Sequence, residues 1–223
     1  MKKQNEIYLV EEMIKYLKSK KVKFKNNLPI LKKEWMATSL PKRIVPFSKR
    51  NYVNDDKSNI SICFFDKDSN IYPRLYKVMD EISIYKNYHS ICMMDISISP
   101  LMDEPLQNFN LLLNLCFTSI LGVNGIKIIP STRCGNEHNL MLLKDATEGS
   151  DIWISGLIGT QKDKKNEYID LLFIIKLNIL PIKKLLLYGK PNIDTTNILD
   201  NNEIDYIIYD DFRRYSFNKK RSD

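Results

Sequence analysis

Apolar positions recur with two different spacings along the chain, and the alternation between them organises it. Residues 4–20 carry Ile7, Val10, Ile14 and Leu17 at helical spacing, with Tyr8, Leu9, Met13 and Tyr16 widening the stripe. The pattern predicts an amphipathic helix there. Residues 21–52 contain Pro29, Pro41 and Pro46 and little periodicity, and read as an extended connection wrapped over the main body. From Asn59 onward short apolar runs alternate with helical patterns. The predicted strands are 60–65, 91–97, 126–130, 151–156 (which Leu157, Ile158 and Gly159 would lengthen), 184–189 and 205–210. The predicted helices are 72–86, 104–121 and 166–179, the last with Tyr168, Leu171, Leu172, Ile175 and Ile179 on one face; 139–147 is either a short helix or a strand. Pro73 and Pro105 suit first helical turns, and Gly122 and Gly125 stop the helix of 104–121. That helix carries Leu111, Leu113, Leu115, Phe117 and Ile120 among other apolar residues, so it must be buried on more than one side.

Strands of five or six nearly continuous apolar residues, separated by helices, predict a parallel sheet covered on both faces. The expected fold class is therefore α/β: a mostly parallel sheet with alternating helices, either open or rolled into a partial barrel, preceded by a basic N-terminal helical extension. The expected division is residues 1–57 as that helix and connection, outside the core; 58–212 as the α/β domain; and 213–223 as a basic tail. No apolar run approaches the ~20 residues that span a bilayer, so no membrane is expected.

Charge changes the picture of the first quarter. The net charge is +7. Residues 1–57 hold 15 Lys/Arg against 6 Asp/Glu, and residues 58–223 hold 19 against 21, so the whole excess is N-terminal. Eight lysines and no acid lie from Lys15 to Lys33. Such a run is either a solvated face or an arm that tracks phosphates or another acidic surface. Lysine is a point charge rather than a planar fork, so binding through it would be non-specific and salt-sensitive. The residues nominated for a nucleic-acid contact are Lys18, Lys20, Lys21, Lys23, Lys25, Lys32, Lys33 and Trp35, with Trp35 and Phe24 free to stack on bases. Met1-Lys2-Lys3 is followed by polar residues rather than an apolar stretch, which does not read as a secretory signal.

Candidate chemistry is sought at the carboxyl ends of the strands, where parallel α/β folds place ligands. The residues following the predicted strands include Asp66 and Asp68; Asp95, Ser97 and Ser99; Ser131, Thr132 and Arg133; Gly156, Gly159, Thr160 and Gln161; Lys190; and Asp210 and Asp211. Asp after a strand is also good turn chemistry. Asp95 differs, because it lies in an apolar stretch and a carboxylate there needs a partner; Arg133 is the candidate. Asp66, Asp95, Ser97 and Arg133 are the nominated catalytic set. Three acidic clusters at one sheet edge would suit Mg²⁺, a hard ion that prefers oxygen ligands. Cys63, Cys92 and Cys116 lie in apolar runs and read as reduced core residues. Cys134, beside Arg133 and near His138, is a candidate for a thiol activated by a histidine. Unsecreted and reduced, the chain is expected in a cytoplasm.

Several short motifs, in order, resemble the family called domain of unknown function 4417, seen mainly in phages and mobile elements of low-GC bacteria. Ile44-Val45-Pro46-Phe47, Phe64-Phe65-Asp66-x-Asp68, Asp95-x-Ser97 followed by Asp103-Glu104-Pro105, Gly125-Ile126 through Ile129-Pro130, Gly149-Ser150 with Ser155-Gly156, and Tyr188-Gly189 carry the likeness over about residues 40–210. Met94 stands where Pro is usual, Ile96 where Phe is, and Cys63 where His is; the Trp expected near Arg133 or Cys134 is absent. The resemblance implies an α/β domain in a mobile-element setting and no established activity. Three readings follow: an accessory protein that binds nucleic acid or a host protein through its basic N-terminal region; a Mg²⁺-dependent enzyme on nucleic acid or nucleotides at the strand-end Asp/Arg cluster; and an inhibitor of a host defence protein.

Overall fold

The structure, a computed structural model, describes residues 5–157, the backbone of 167–170 and residues 171–213. Ile158, Gly159, Thr160, Gln161, the Tyr168 side chain and the tail beyond Arg213 lie outside the described residues.

Helix α1 (Glu6–Ser19) is capped by Asn5, whose side chain accepts from the Ile7 amide. A two-strand hairpin follows, β1 (Phe24–Lys25) and β2 (Leu28–Pro29), turned by Asn26 and Asn27 at positive φ. Seven parallel strands come next, with helices between most of them. They are β3 (Arg43–Pro46), β4 (Ile60–Cys63), then helices α2 (Asp68–Leu75) and α3 (Val78–Tyr85), β5 (Ser90–Cys92), α4 (Glu104–Val123), β6 (Ile128–Ile129), α5 (Glu137–Asp145), β7 (Ile152–Gly156), α6 (Glu167–Ile179), β8 (Lys184–Tyr188), α7 (Ile193–Asn201) and β9 (Asp205–Tyr209).

The strands form sheets of order β3-β4-β5-β6 and β7-β8-β9, all parallel. A parallel bridge between Ser131 and Ile154 joins the two, with Ile154 N–H to Pro130 O and Thr132 N–H to Ile154 O both 2.9 Å. The order never reverses, which is the winding of a barrel rather than of an open doubly wound sheet. Alternate side chains of all seven strands meet in one apolar cluster: Ile44, Cys63, Cys92, Ile129, Ile152 and Ile154, Leu186 and Tyr188, with Ile207 and Tyr209 against it. The opposite positions, such as Val45, Ile62, Ile91, Ile128, Trp153 and Leu185, join the helices in a second cluster. No helix residue enters this inner cluster, and Tyr209 of the last strand meets Pro41 beside the first, so of the two forms the sequence allows, the partial barrel is the one formed.

Closure is incomplete between the first and last strands. Residues 41–45 and 207–210 face each other across a gap of about 360 Å³, and the Tyr209 hydroxyl donates to Pro41 O at 2.8 Å. Register carries Pro46 through Cys63, Cys92, Ile129, Ile152 and Lys184 to Asp205, yet Tyr209 is the residue that meets Pro41. Such a stagger is what closing a tilted sheet demands.

The N-terminal quarter is part of this body, contrary to the expectation that residues 1–57 lie outside the core. Val10, Met13 and Leu17 of α1 pack in the outer cluster, α1 lies on α4, and β3 is the first barrel strand. Residues 36–42 cross the amino ends of the strands. Ala37 N–H bonds Ile128 O at 2.8 Å and its side chain enters the inner cluster; Ser39 Oγ meets His89 Nε2 at 2.9 Å; Lys42 N–H bonds Asn59 O at 2.8 Å. The segment is a floor to the barrel. Its periodicity is weak because its contacts come from a crossing path and not from one regular face.

Other differences are local. The single helix expected over 72–86 is two, broken at Tyr76 and Lys77, and Pro73 stands inside α2 rather than in a first turn. Of the two forms expected for 139–147, the helix is the one formed, as α5, which ends at Asp145. Helix α7 was not foreseen. Helix α4 is long and apolar enough to cross a membrane by length and composition, but 67% of its most apolar window is buried inside the protein, against α1, α3 and α5.

Candidate functional site

The carboxyl ends of the barrel strands hold the most ordered group of charged side chains, and α4 explains why. Strand β5 ends at Cys92, and residues 93–98 continue without a ladder. Three polar residues spaced by four on the largely apolar α4 take over its backbone groups. Thr118 Oγ1 accepts from the Met94 amide at 3.2 Å, Asn114 accepts from Ile96 N–H at 2.9 Å and donates to Ile96 O at 3.1 Å, and Asn110 donates to Ser97 O at 2.9 Å. Buried backbone groups must be paired, so this ladder fixes the segment. Met94 and Ile96 pack into the outer cluster, and Asp95 meets Arg133. Asn110, Asn114 and Thr118 are positioning residues that the sequence reading missed; polar residues at i, i+4 and i+8 in an apolar helix were the available signal.

Arg133 arrives from the far side of β6, held by its own amide on Ser131 Oγ at 3.2 Å. It grips Asp95 with Nε on one carboxylate oxygen and Nη2 on the other, both at 2.8 Å. This bidentate pair is the partnership expected from the sequence. Asp95 is 5% exposed and the Arg133 side chain 25%. Burial pushes the Asp95 carboxyl above its usual range against the pull of Arg133, while Asp95 holds Arg133 firmly cationic against burial. Ser97 turns to a different carboxylate: its amide and hydroxyl donate to Asp68 Oδ1 at 3.2 and 3.1 Å.

Lys176 of α6 completes the cluster, within hydrogen-bonding reach of the Cys134 thiol and near Arg133 and Asp95. Burial, with the Arg133 charge added, lowers its ammonium below the ordinary lysine value. Lys176 is another residue the sequence did not single out; it sits mid-helix in an apolar run. The candidate Cys134–His138 pairing is not formed. Burial pushes the Cys134 thiol up, despite Lys176 and Arg133, and His138 instead faces Glu104 at 3.5 Å. A buried thiol held neutral is a packing residue rather than a nucleophile. Cys63, Cys92 and Cys116 are likewise buried free thiols, as expected.

Asp66 does not join this group. Its carboxylate accepts from Ser48 Oγ at 2.6 Å, Asn70 Nδ2 at 2.9 Å and the Lys67 amide at 2.8 Å. Burial alone would raise it, but these donors together leave it below the usual carboxylate range. Of the nominated catalytic set, Asp95 and Arg133 are brought together, Ser97 bonds Asp68, whose charge acts on that pair, and Asp66 stands apart. The acidic clusters likewise do not converge: among the described residues there is no group of three His, Cys, Asp or Glu side chains arranged to hold a metal ion. Chemically the Asp95–Arg133 group is a fixed guanidinium with its charge already answered. It suits holding the barrel mouth together better than general acid–base work.

The nominated lysines occupy the other end of the molecule. Lys25 pairs with Asp145 at the end of α5, Leu31 bridges Thr147, and Met36 bridges Ile128, all at the amino ends of strands. Lys18, Lys20, Lys21, Lys23 and Lys33 are exposed and have no carboxylate partner among the described residues, whereas Lys15, Lys25 and Lys32 each have one. Trp35 is not available for stacking on bases. It is 7% exposed, and its indole lies against Gly122 so closely that a Cβ there would be 2.5 Å from the ring. Phe24 is half-buried, with the Lys18 ammonium 5.9 Å from its centre. No sequence-family model, curated protein or solved structure matches the chain.

Proposed function

We propose that the chain binds nucleic acid through its N-terminal lysine array, as an accessory protein of the mobile-element kind that the family resemblance implies, acting in a bacterial cytoplasm. The observation that carries this reading is the set Lys18, Lys20, Lys21, Lys23 and Lys33, exposed in the segment that runs from the end of α1 to the barrel floor and lacking carboxylate partners among the described residues. A solvated lysine face usually acquires acidic neighbours, and three of the eight lysines here have them; the other five keep their charge available. Because Leu17, Val22, Leu28 and Leu31 are buried in the outer cluster, the array is held by folded structure and not by a loose arm. Lysines contact phosphates without reading bases, so the expected mode is sequence-independent. Trp35 takes no part in it.

Neutralising five phosphates of a duplex gives a slope of log affinity against log salt of about −4.5, so affinity should fall by about 500-fold between 50 and 200 mM salt. Fluorescence anisotropy with a labelled duplex measures this directly. Changing Lys18, Lys20, Lys21 and Lys23 together to Gln should flatten the slope by about 3.6. A flat salt dependence in the parent chain overturns the proposal. Capture of a host protein that survives nuclease treatment, with no duplex binding, would favour the protein-partner reading instead.

A further inference from the structure

The mouth of the barrel carries a second cationic feature, distinct from the lysine array and on the opposite end of the strands. An open groove of about 730 Å³ lies between the loops that follow β3, β4 and β9. Its charged lining is Lys49, Arg50, Arg74 and Arg213 against Asp66 alone, and Asp66 is already engaged by three donors. How these cations are held is the informative point. The Arg50 guanidinium sits 3.9 Å from the centre of the Phe47 ring and donates to Phe47 O at 2.9 Å. Arg74 lies 5.2 Å from the same ring centre and pairs with Glu81 through Nη1, leaving a buried Nε–H with no partner among the described residues. The Lys49 ammonium rests 5.6 Å from the Tyr52 ring centre. Aromatic faces and a carbonyl therefore hold Lys49, Arg50 and Arg74, with Glu81 the one carboxylate paired to these three among the described residues. Such positioning fixes the geometry while leaving most of the charge unanswered.

Two guanidiniums and an ammonium lining one groove suit a tetrahedral, multiply charged oxyanion better than a single carboxylate, because planar forks and a point donor reach different oxygens. The groove is much larger than a bare anion and falls within the range of small-molecule sites. Its place is also apt, since the loops after the last strands of parallel barrels often cradle phosphates. We propose that the groove lined by Lys49, Arg50, Arg74 and Arg213 binds the phosphate monoester of an organic phosphate, carried on a free nucleotide or at the 5′ end of a nucleic-acid strand. The inference rests on residues separate from the lysine array and does not need that reading to hold.

Isothermal titration with adenosine monophosphate, adenosine and inorganic phosphate is the first test. The monophosphate should bind, adenosine should not, and inorganic phosphate should compete in the unaltered chain. The double change Lys49→Gln and Arg50→Gln, which removes no ion pair seen among the described residues, should weaken the monophosphate by at least about tenfold with the melting temperature little changed. The change of Lys18, Lys20, Lys21 and Lys23 to Gln should leave it unaltered. In that four-lysine variant, about tenfold preference for a 5′-phosphorylated over a 5′-hydroxyl oligonucleotide would assign the phosphate to a strand end. Monophosphate binding without that preference would assign it to a free nucleotide. Equal binding of adenosine and its monophosphate, or binding of neither the monophosphate nor the phosphorylated strand, overturns the proposal.

Discussion

Replacing Arg133 by Met tests how tightly the barrel mouth is sealed. Methionine keeps most of the side-chain length and removes the guanidinium, so the Asp95 carboxylate loses both 2.8 Å hydrogen bonds at once. At 5% exposure it can recruit little water in return. Breaking a buried pair in this direction costs about 3–5 kcal/mol. The converse change, Asp95→Asn, should cost less, about 1–2 kcal/mol, because Arg133 is 25% exposed and can turn toward solvent while the amide still accepts one bond. The double variant should lose much less than the sum of the two single losses, with a coupling of about 2–3 kcal/mol. Urea unfolding followed by tryptophan fluorescence suits the measurement, since Trp35 and Trp153 are both buried. Acid supplies a second axis. Asp95 already has a raised carboxyl pKa in the folded chain, so its protonation favours the folded state as pH falls through that raised value. Without Arg133 the carboxyl should rise further, and the deficit of Arg133→Met should therefore shrink between pH 7 and pH 5. A loss below about 1 kcal/mol at pH 7, or a deficit that grows on acidification, would refute a sealed, buried pair.

Three other outcomes are expected. Gly122→Ala should destabilise by about 1–3 kcal/mol in urea unfolding despite alanine's better helix propensity, because the new Cβ would stand 2.5 Å from the Trp35 ring; a stabilised variant would mean the indole does not lie there. Asn114→Leu strips the Ile96 amide and carbonyl of their partners and should cost about 2–4 kcal/mol, read by the same assay, and a cost near zero would deny α4 its role in fixing Asp95. Asp66 has a lowered folded pKa, so its contribution is present above the unfolded value and is lost as pH falls through the folded one. Ser48→Ala should move its titration, followed by NMR, back up toward the ordinary range.

Where an element's own residues determined it, the sequence was enough. Helix α1 and strands β4, β7, β8 and β9 follow the spacing of their apolar residues, and Asp95 pointed to Arg133 through the cost of burying a carboxylate alone. What could not be read depended on distant partners. Strand β3 is four residues ending in proline and becomes a strand only by pairing with β4. Trp35 looked free because its cover, Gly122, is far along the chain. The separation of Asp66 from Asp95 depends on Ser48 and Asn70 reaching it first, and Lys176 enters the cluster only because α6 packs back over the barrel mouth. The choice between open sheet and barrel also needed the strand order, which period-two patterning does not encode.

The floor of the barrel has a consequence for how the chain comes to be folded. Its contacts join Met36 to Ile128, Leu31 to Thr147 and Pro41 to Tyr209, the last pair 168 residues apart. The segment is synthesised early, yet each of its anchors emerges late. Contacts of such long sequence separation are reached slowly, because the loop must be closed before the contact rewards it. Trp35 waits for Gly122 of α4, Met36 for Ile128 of β6 and Leu31 for Thr147 beyond α5, and all three sit in or beside the lysine-rich stretch. That positive charge would keep the waiting apolar segment apart from other copies of itself during synthesis. The same lysines would then serve the chain twice, first by mutual repulsion while it is incomplete and afterwards on the finished surface.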